Sequence, residues 1–225
     1  MLFRALLLTA AVSAFGQQAL KDVLGLTEMQ IWQLRQEKPA PVVPRGTASA
    51  GRRPGDFAAT RPYKDSLNEA LQNPILDASQ QAKLAEIVKV LDRWRAASEA
   101  IAMGLIRAEQ WPGPSACLPY PIRAFPSEFD ISDAQLEQLE RLQRAAEAPL
   151  WVQIKEKAMA RSEADLNKLN QQLAATRPPR DLTLAILNDA QKAKVAAFEL
   201  DSKLTREAIE LKLIPTPVYG EPLCQ

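Results

Sequence analysis

The residues able to do chemistry here are few and scattered. The 225-residue chain has no histidine, so it lacks an imidazole for a catalytic dyad, for metal ligation or for a switch near neutral pH. Its two cysteines are Cys117 and Cys224. Two thiols without histidine make a poor soft-metal site, whereas an even number in an exported chain suits a disulfide. The carboxylates Glu137, Glu140 and Glu147 are spread along one segment with no partner constellation. Pairs such as Glu137/Arg141 and Asp201/Thr205 read as surface contacts at helical spacing. No glycine-rich phosphate loop or nucleophile–base pattern occurs. The reading is therefore not an enzyme, with no cofactor and no metal. Charge is balanced, 28 basic against 27 acidic residues, so nothing calls for nucleic acid.

What does recur is a capping pattern. Leu26-Thr27-Glu28-Met29-Gln30, Leu76-Asp77-Ala78-Ser79-Gln80, Ile131-Ser132-Asp133-Ala134-Gln135 and Leu187-Asn188-Asp189-Ala190-Gln191 share one plan. An apolar residue precedes Thr, Asp, Ser or Asn, and Gln follows three places later. The second residue is a preferred helix N-cap whose oxygen accepts a free N–H of the first turn, worth about 1 kcal/mol. The Gln reaches back to the cap N–H, completing a capping box. Apolar Ile31 and Leu136 at the fourth helical position allow a hydrophobic staple, while Gln81 and Lys192 weaken it. One such site is common, but four that each open a helical segment are specific.

The elements behind these caps are helices. Ala, Leu, Glu, Lys, Gln and Arg fill the long segments, aromatics make up 6% and glycines number 8, a mixture that favours helix over strand. Expected segments are about 28–38, 77–108, 132–174 and 188–213, with Pro149 kinking or splitting the third. Segment 77–108 carries a heptad stripe of Leu84, Ile87, Leu91, Trp94, Ser98, Ile101 and Leu105. A more polar stripe of Val195, Phe198, Ser202, Thr205 and Ile209 marks the fourth. Proline-rich stretches separate the segments, and 39–62, with four arginines, reads as a basic linker.

The spacing indicates a duplication. Leu26 and Ile131 lie 105 residues apart, Leu76 and Leu187 lie 111 apart, and Cys117 and Cys224 lie 107 apart. The division expected is a signal peptide at 1–16, a first helical unit at 17–117 containing the 39–62 linker, a connector at 118–130 and a second unit at 131–225. Arg4, the apolar run Ala5 to Phe15 and Ala14-Phe15-Gly16 make the signal pattern, with cleavage near Gln17. That run is too short to span a bilayer, and no later segment is long and apolar enough. The equivalent positions of Cys117 and Cys224 suit an intrachain disulfide if the two units pack about a pseudo-twofold axis.

With its repeated Leu-Thr-x-x-Gln sites, an exported helical chain resembles the Spy/CpxP family of periplasmic proteins. Leu26-Thr27-Glu28-Met29-Gln30 matches the family motif outright, and the sites at Leu76, Ile131 and Leu187 match it with substitutions. The resemblance implies an all-α fold of long bent hairpins, here two tandem units packed as a pseudo-twofold pair. It also implies ATP-independent chaperone action on unfolded or partly folded envelope proteins; the alternatives are an envelope-stress signalling adaptor and a structural helical module. Family members pair as cradle-like dimers, so the chain is expected to be a homodimer or an internally pseudo-dimeric monomer. Ile87, Leu91, Trp94, Phe198 and Leu204 are the helix-face residues expected to frame or line a client groove, or else to pack in the core.

Overall fold

The computed structural model describes residues 19–36, 61–113, 124–159 and 163–217. These form an all-α chain, with no strand among the described residues. The elements are α1 (Leu20–Leu24), α2 (Glu28–Gln36), α3 (Arg61–Ala70), α4 (Ala78–Val88), a 3-10 segment (Lys89–Arg93), α5 (Trp94–Ala102), α6 (Ala124–Glu128), α7 (Asp133–Met159), α8 (Glu163–Ala175), α9 (Arg180–Ala185) and α10 (Asp189–Glu210). The signal-peptide segment, both cysteines and most of the 39–62 stretch lie outside the described residues. Arg61 and Pro62, assigned to the linker by composition, instead open α3, with proline in the first turn, where its missing N–H costs no helix bond.

The chain divides into two compact units: Met1–Trp94 with Glu109–Pro114 and Ala196–Gln225, and Arg95–Ala108 with Ser115–Val195. Neither coincides with the contiguous stretches 17–117 and 131–225. The first joins the start of the first half of the chain to the tail of the second, and the second joins the tail of the first half to the start of the second.

In the first unit, Leu20, Leu24, Leu34, Leu84, Phe198, Leu204, Leu213 and Ile214 are buried. Leu20 N–H of α1 donates to Glu207 Oε2 of α10 at 2.6 Å. The buried Thr205 hydroxyl donates to the Ile87 carbonyl at 3.3 Å. That corrects the reading of Asp201/Thr205 as a surface pair: Thr205 is wholly buried, since its hydroxyl finds an acceptor within the core.

In the second unit, Ala97, Ala100, Ile101, Met103, Leu105, Phe125, Phe129, Leu139, Leu187 and Val195 are buried. The side chain of Glu99, 3% exposed, accepts the backbone N–H groups of Ala124 and Phe125 at 2.7 and 2.8 Å. A carboxylate at the opening of α6 satisfies donors that a helix start leaves free. Glu99 does in this unit what Glu207 does in the first.

The tails of α5 and α10 close alike. Leu105 N–H bonds Ala100 O, and Leu213 N–H bonds Ala208 O, both at 2.9 Å. Gly104 and Lys212 take the left-handed conformation there, at φ 70° and 60°, a helix stop that glycine enters without steric cost. In Gly104 an added Cβ would lie 2.7 Å from Pro178 O.

The segment expected as one helix over 77–108 is broken by the 3-10 turn. From Leu76 to Leu105 the chain has 29 residues, but from Leu187 to Leu213 only 26. Three extra residues in an α-helix rotate the succeeding turns by about 60° from their former face. Winding at three residues per turn advances the chain by about 20° more per residue, enough over this segment to offset that angle, and Leu84, Ile87, Leu91, Ser98, Ile101 and Leu105 all remain buried. Pro149, by contrast, does not split its helix: α7 runs unbroken from Asp133 to Met159. Ala145 and Pro149 are exposed, so the carbonyl that Pro149 leaves unpaired lies at a hydrated surface.

Candidate functional site: the paired glutamine motifs

All four capping boxes form. Thr27 and Gln30 exchange bonds at 2.9 and 3.2 Å, Asp77 and Gln80 at 3.0 and 2.8 Å, Ser132 and Gln135 at 3.1 and 3.3 Å, and Asn188 and Gln191 at 2.9 Å in both directions. The leading Leu76, Ile131 and Leu187 are buried and Leu26 is half-buried. Ile31 is buried and Leu136 half-buried, as the staple positions require. Gln81 is used otherwise: its amide donates to Asn73 O and Leu76 O at 3.0 and 3.1 Å.

The glutamines have a second task that spacing alone does not reveal. In the first unit, Gln30 Nε2 donates to Gln80 Oε1 at 2.8 Å and Gln80 Nε2 returns a bond to Gln30 Oε1 at 3.3 Å. Each amide also ties down the chain before its partner's helix: Gln30 bonds Ile75 O at 2.8 Å and Gln80 bonds Gly25 O at 3.2 Å. The second unit repeats the network, with Gln135 bonding Ile186 O at 2.9 Å and Gln191 bonding Asp130 O at 2.5 Å. Gly25 and Asp130 share the left-handed conformation, φ 66° and 54°. Lys194 reaches the Asp130 carboxylate at 2.5 Å.

A clue to this pairing lies in the residue type. A capping box accepts Glu or Gln, yet all four sites use Gln. Capping needs only the side-chain oxygen, whereas the cross-bonds need an amide N–H, which an ionised carboxylate lacks. Gln80 and Gln191 are 6% and 4% exposed, so their polar atoms must be satisfied inside the protein. The arrangement clamps two helix starts together.

The residues expected to frame or line a client groove are placed in the interior. Ile87, Leu91, Phe198 and Leu204 are buried and Trp94 is half-buried. The Arg93 guanidinium lies 4.4 Å from the Phe198 ring centroid, and the Trp111 ring centroid is 6.2 Å from that of Phe198. This is a cation–π stack within the packed first unit. Beside it, burial raises the Asp201 carboxyl above its ordinary range, opposed by the charge of Arg93. A cavity of about 350 Å³ between α3 and the α4–3-10 stretch is lined by Tyr63, Leu67, Leu71, Val88, Asp92 and Trp94, among others. The Tyr63 hydroxyl donates to Pro215 O at 3.3 Å, and burial, followed by the charge of Asp92, pushes its ionisation far above the usual range.

Large apolar side chains reach the surface on two of the four motif-led helices, α2 and α7, besides Leu182 on α9. Met29 and Trp32 are 64% and 58% exposed on α2, and Trp151, Val152 and Met159 are 47%, 57% and 80% exposed on α7. Glu137 and Arg141 form the anticipated surface pair at 2.5 Å, and the hydrogen bond and then the charge of Arg141 hold the Glu137 carboxyl below its ordinary range. Among the described residues no group of three or more metal-ligating side chains converges, and no helix is long and apolar enough to cross a membrane. Comparison with protein-family models, with curated proteins and with solved structures finds no match to this chain.

Proposed function

We propose that this protein belongs with the Spy/CpxP group, is exported to the periplasm, and holds partly unfolded envelope proteins without nucleotide. The observation that carries the reading is the exposure of Trp151, Val152 and Met159 on α7, together with Met29 and Trp32 on α2. Exposed apolar patches of this kind mark interaction surfaces, and thin helical layers leave such side chains uncovered. Ile87, Leu91, Phe198 and Leu204, by contrast, serve as framework. The tandem halves, packed as a pseudo-twofold pair, would place in one chain what two protomers supply elsewhere. Export would remove residues 1–16, exposing Gln17 as the mature terminus, and would allow Cys117 and Cys224 to join. N-terminal sequencing and non-reducing mass spectrometry of the exported chain test both points.

Light scattering tests the function, using two chemically unrelated denatured clients with and without stoichiometric protein. Slower aggregation of both, without ATP, is the expected result. If neither slows at several-fold excess, the chaperone reading fails and the signalling adaptor takes its place.

A further inference from the structure

Helix α7 carries two apolar seams. The inner one, Leu139, Gln143, Ala146, Leu150 and Ile154, is buried or half-buried. The other is exposed along its whole length: Ala145, Ala148, Val152, Lys155 and Met159 succeed one another at spacings of 3, 4, 3 and 4, with exposed Trp151 at the flank. This is the a/d spacing of a coiled-coil seam, and it extends about 21 Å along the helix at 1.5 Å per residue.

The period and the area narrow the occupant. Successive stripe residues lie about 5 Å apart along the axis, as on a second helix with a 3-4 stripe. Same-side residues of an extended chain recur about every 6.7 Å and drift out of step. The apolar area exposed by Trp151, Val152 and Met159 is on the order of 300 Å², the scale of a functional patch. A stable dimer buries roughly 800 Å² per partner, somewhat over half of it apolar, more than this stripe supplies, which argues for a transient partner over a second copy of this chain.

Charge narrows it further. The other cations along α7 are engaged: Arg141 with Glu137 at 2.5 Å, Arg144 with Glu140 at 3.3 Å and Lys157 with Asp165 at 3.0 Å. Lys155, inside the apolar stripe, pairs with no acidic group among the described residues. A carboxylate brought opposite it by a partner would gain an ion pair beside apolar surface, where screening is weaker.

We propose that the outward face of α7 receives an amphipathic helix of a client protein, apolar at 3-4 spacing and carrying Glu or Asp opposite Lys155. The inference rests on the client-binding reading and adds to it a preference for segments that can form helices. The test uses the full chain and two labelled model peptides of identical composition, one with leucines at heptad spacing around a central Glu, the other with leucines alternating. Fluorescence anisotropy should show the heptad peptide binding about tenfold more tightly, with a rise in helical circular dichroism. Val152→Glu with Met159→Glu should abolish that advantage, and Lys155→Glu should shift preference to a heptad peptide with a central Lys.

Equal binding of the two peptides, or a preference unchanged by all three substitutions, would overturn the inference. So would self-association or capture by anionic phosphatidylglycerol vesicles that disappears in the Val152→Glu/Met159→Glu variant, since the face would then serve a second copy or a lipid surface. The two readings separate cleanly. If the variant still slows client aggregation and the peptides do not discriminate, client binding stands and this face is not its site. If aggregation is unaffected by the unaltered chain but the charge swap holds, the helix-binding face stands and chaperone action fails.

Discussion

Gln135 and Gln191 donate to each other: Gln135 Nε2 lies 2.8 Å from Gln191 Oε1, and the return bond is 2.9 Å. They are 56 residues apart in the chain, and each also caps its own helix. A side chain chosen for local helix initiation thereby fixes a tertiary contact.

Replacing Gln191 with Ala removes the bond to Asn188 N–H, the bond to Asp130 O and the exchange with Gln135. The expected cost is about 2–4 kcal/mol, the sum of several partly buried hydrogen bonds. Gln191→Glu keeps the capping oxygen but loses the donor, so it should also destabilise. Urea unfolding of Gln135→Ala, Gln191→Ala and the double variant should give a coupling energy of about 1 kcal/mol; strict additivity would show that the reciprocal bonds contribute nothing.

Glu99 should be sensitive to the loss of its oxygens. Glu99→Ala leaves the Ala124 and Phe125 N–H groups without their acceptor at the start of α6 and should cost about 2–3 kcal/mol. Glu99→Gln retains an acceptor oxygen and should cost less. Hydrogen exchange at the amide of Phe125 gives a local readout, with protection falling most in the alanine variant.

The two left-handed helix stops should respond with opposite signs. Gly104→Ala meets Pro178 O and an unfavourable φ, and about 2 kcal/mol of destabilisation is expected. Lys212→Gly relieves the strained φ at the corresponding stop and should stabilise by about 0.5 kcal/mol after the added unfolded-state entropy. Thermal melts of the two variants check the pair.

Asp201 predicts a pH dependence. Its pKa is raised in the folded protein by burial, against the opposing charge of Arg93, so the folded state binds a proton more readily than the unfolded state. The resulting penalty is absent below the ordinary carboxylate pKa and grows as pH rises through the raised value. Asp201→Asn should therefore melt at a higher temperature than the parent at pH 7, with the difference closing below about pH 3, under the unfolded aspartate pKa. A variant less stable at pH 7 would mean that the attraction to Arg93 outweighs desolvation.

Local chemistry made part of this legible in advance. Helix starts at Thr27, Asp77, Ser132 and Asn188 can be read from residue types three places apart, and the stripes identify Leu84, Ile87 and Phe198 as apolar-face residues. A stripe says which face seeks cover but not which segment provides it, so the combination of α10's tail with α1 was invisible. The five-residue helices α1 and α6 are too short to show a period. The glutamine pairs join residues 50 and 56 positions apart, and only the absence of Glu from the fifth motif position hints at them. On α7, the exposed seam at Val152 and Met159 looks in sequence like any other stripe at 3-4 spacing, because exposure depends on what α8 leaves uncovered.

The division of the chain also governs when it can fold. Synthesis delivers residues from the N-terminus, yet Leu20 finds its acceptor in Glu207 and Trp111 its stacking partner in Phe198. The segment around Leu20 must wait for the one around Glu207 before their unit closes. The second unit, complete by Val195, is ready earlier, so the sequence made second finishes first. A nascent chain stalled before Ala196 should protect the Phe125 amide from exchange while leaving that of Leu20 open.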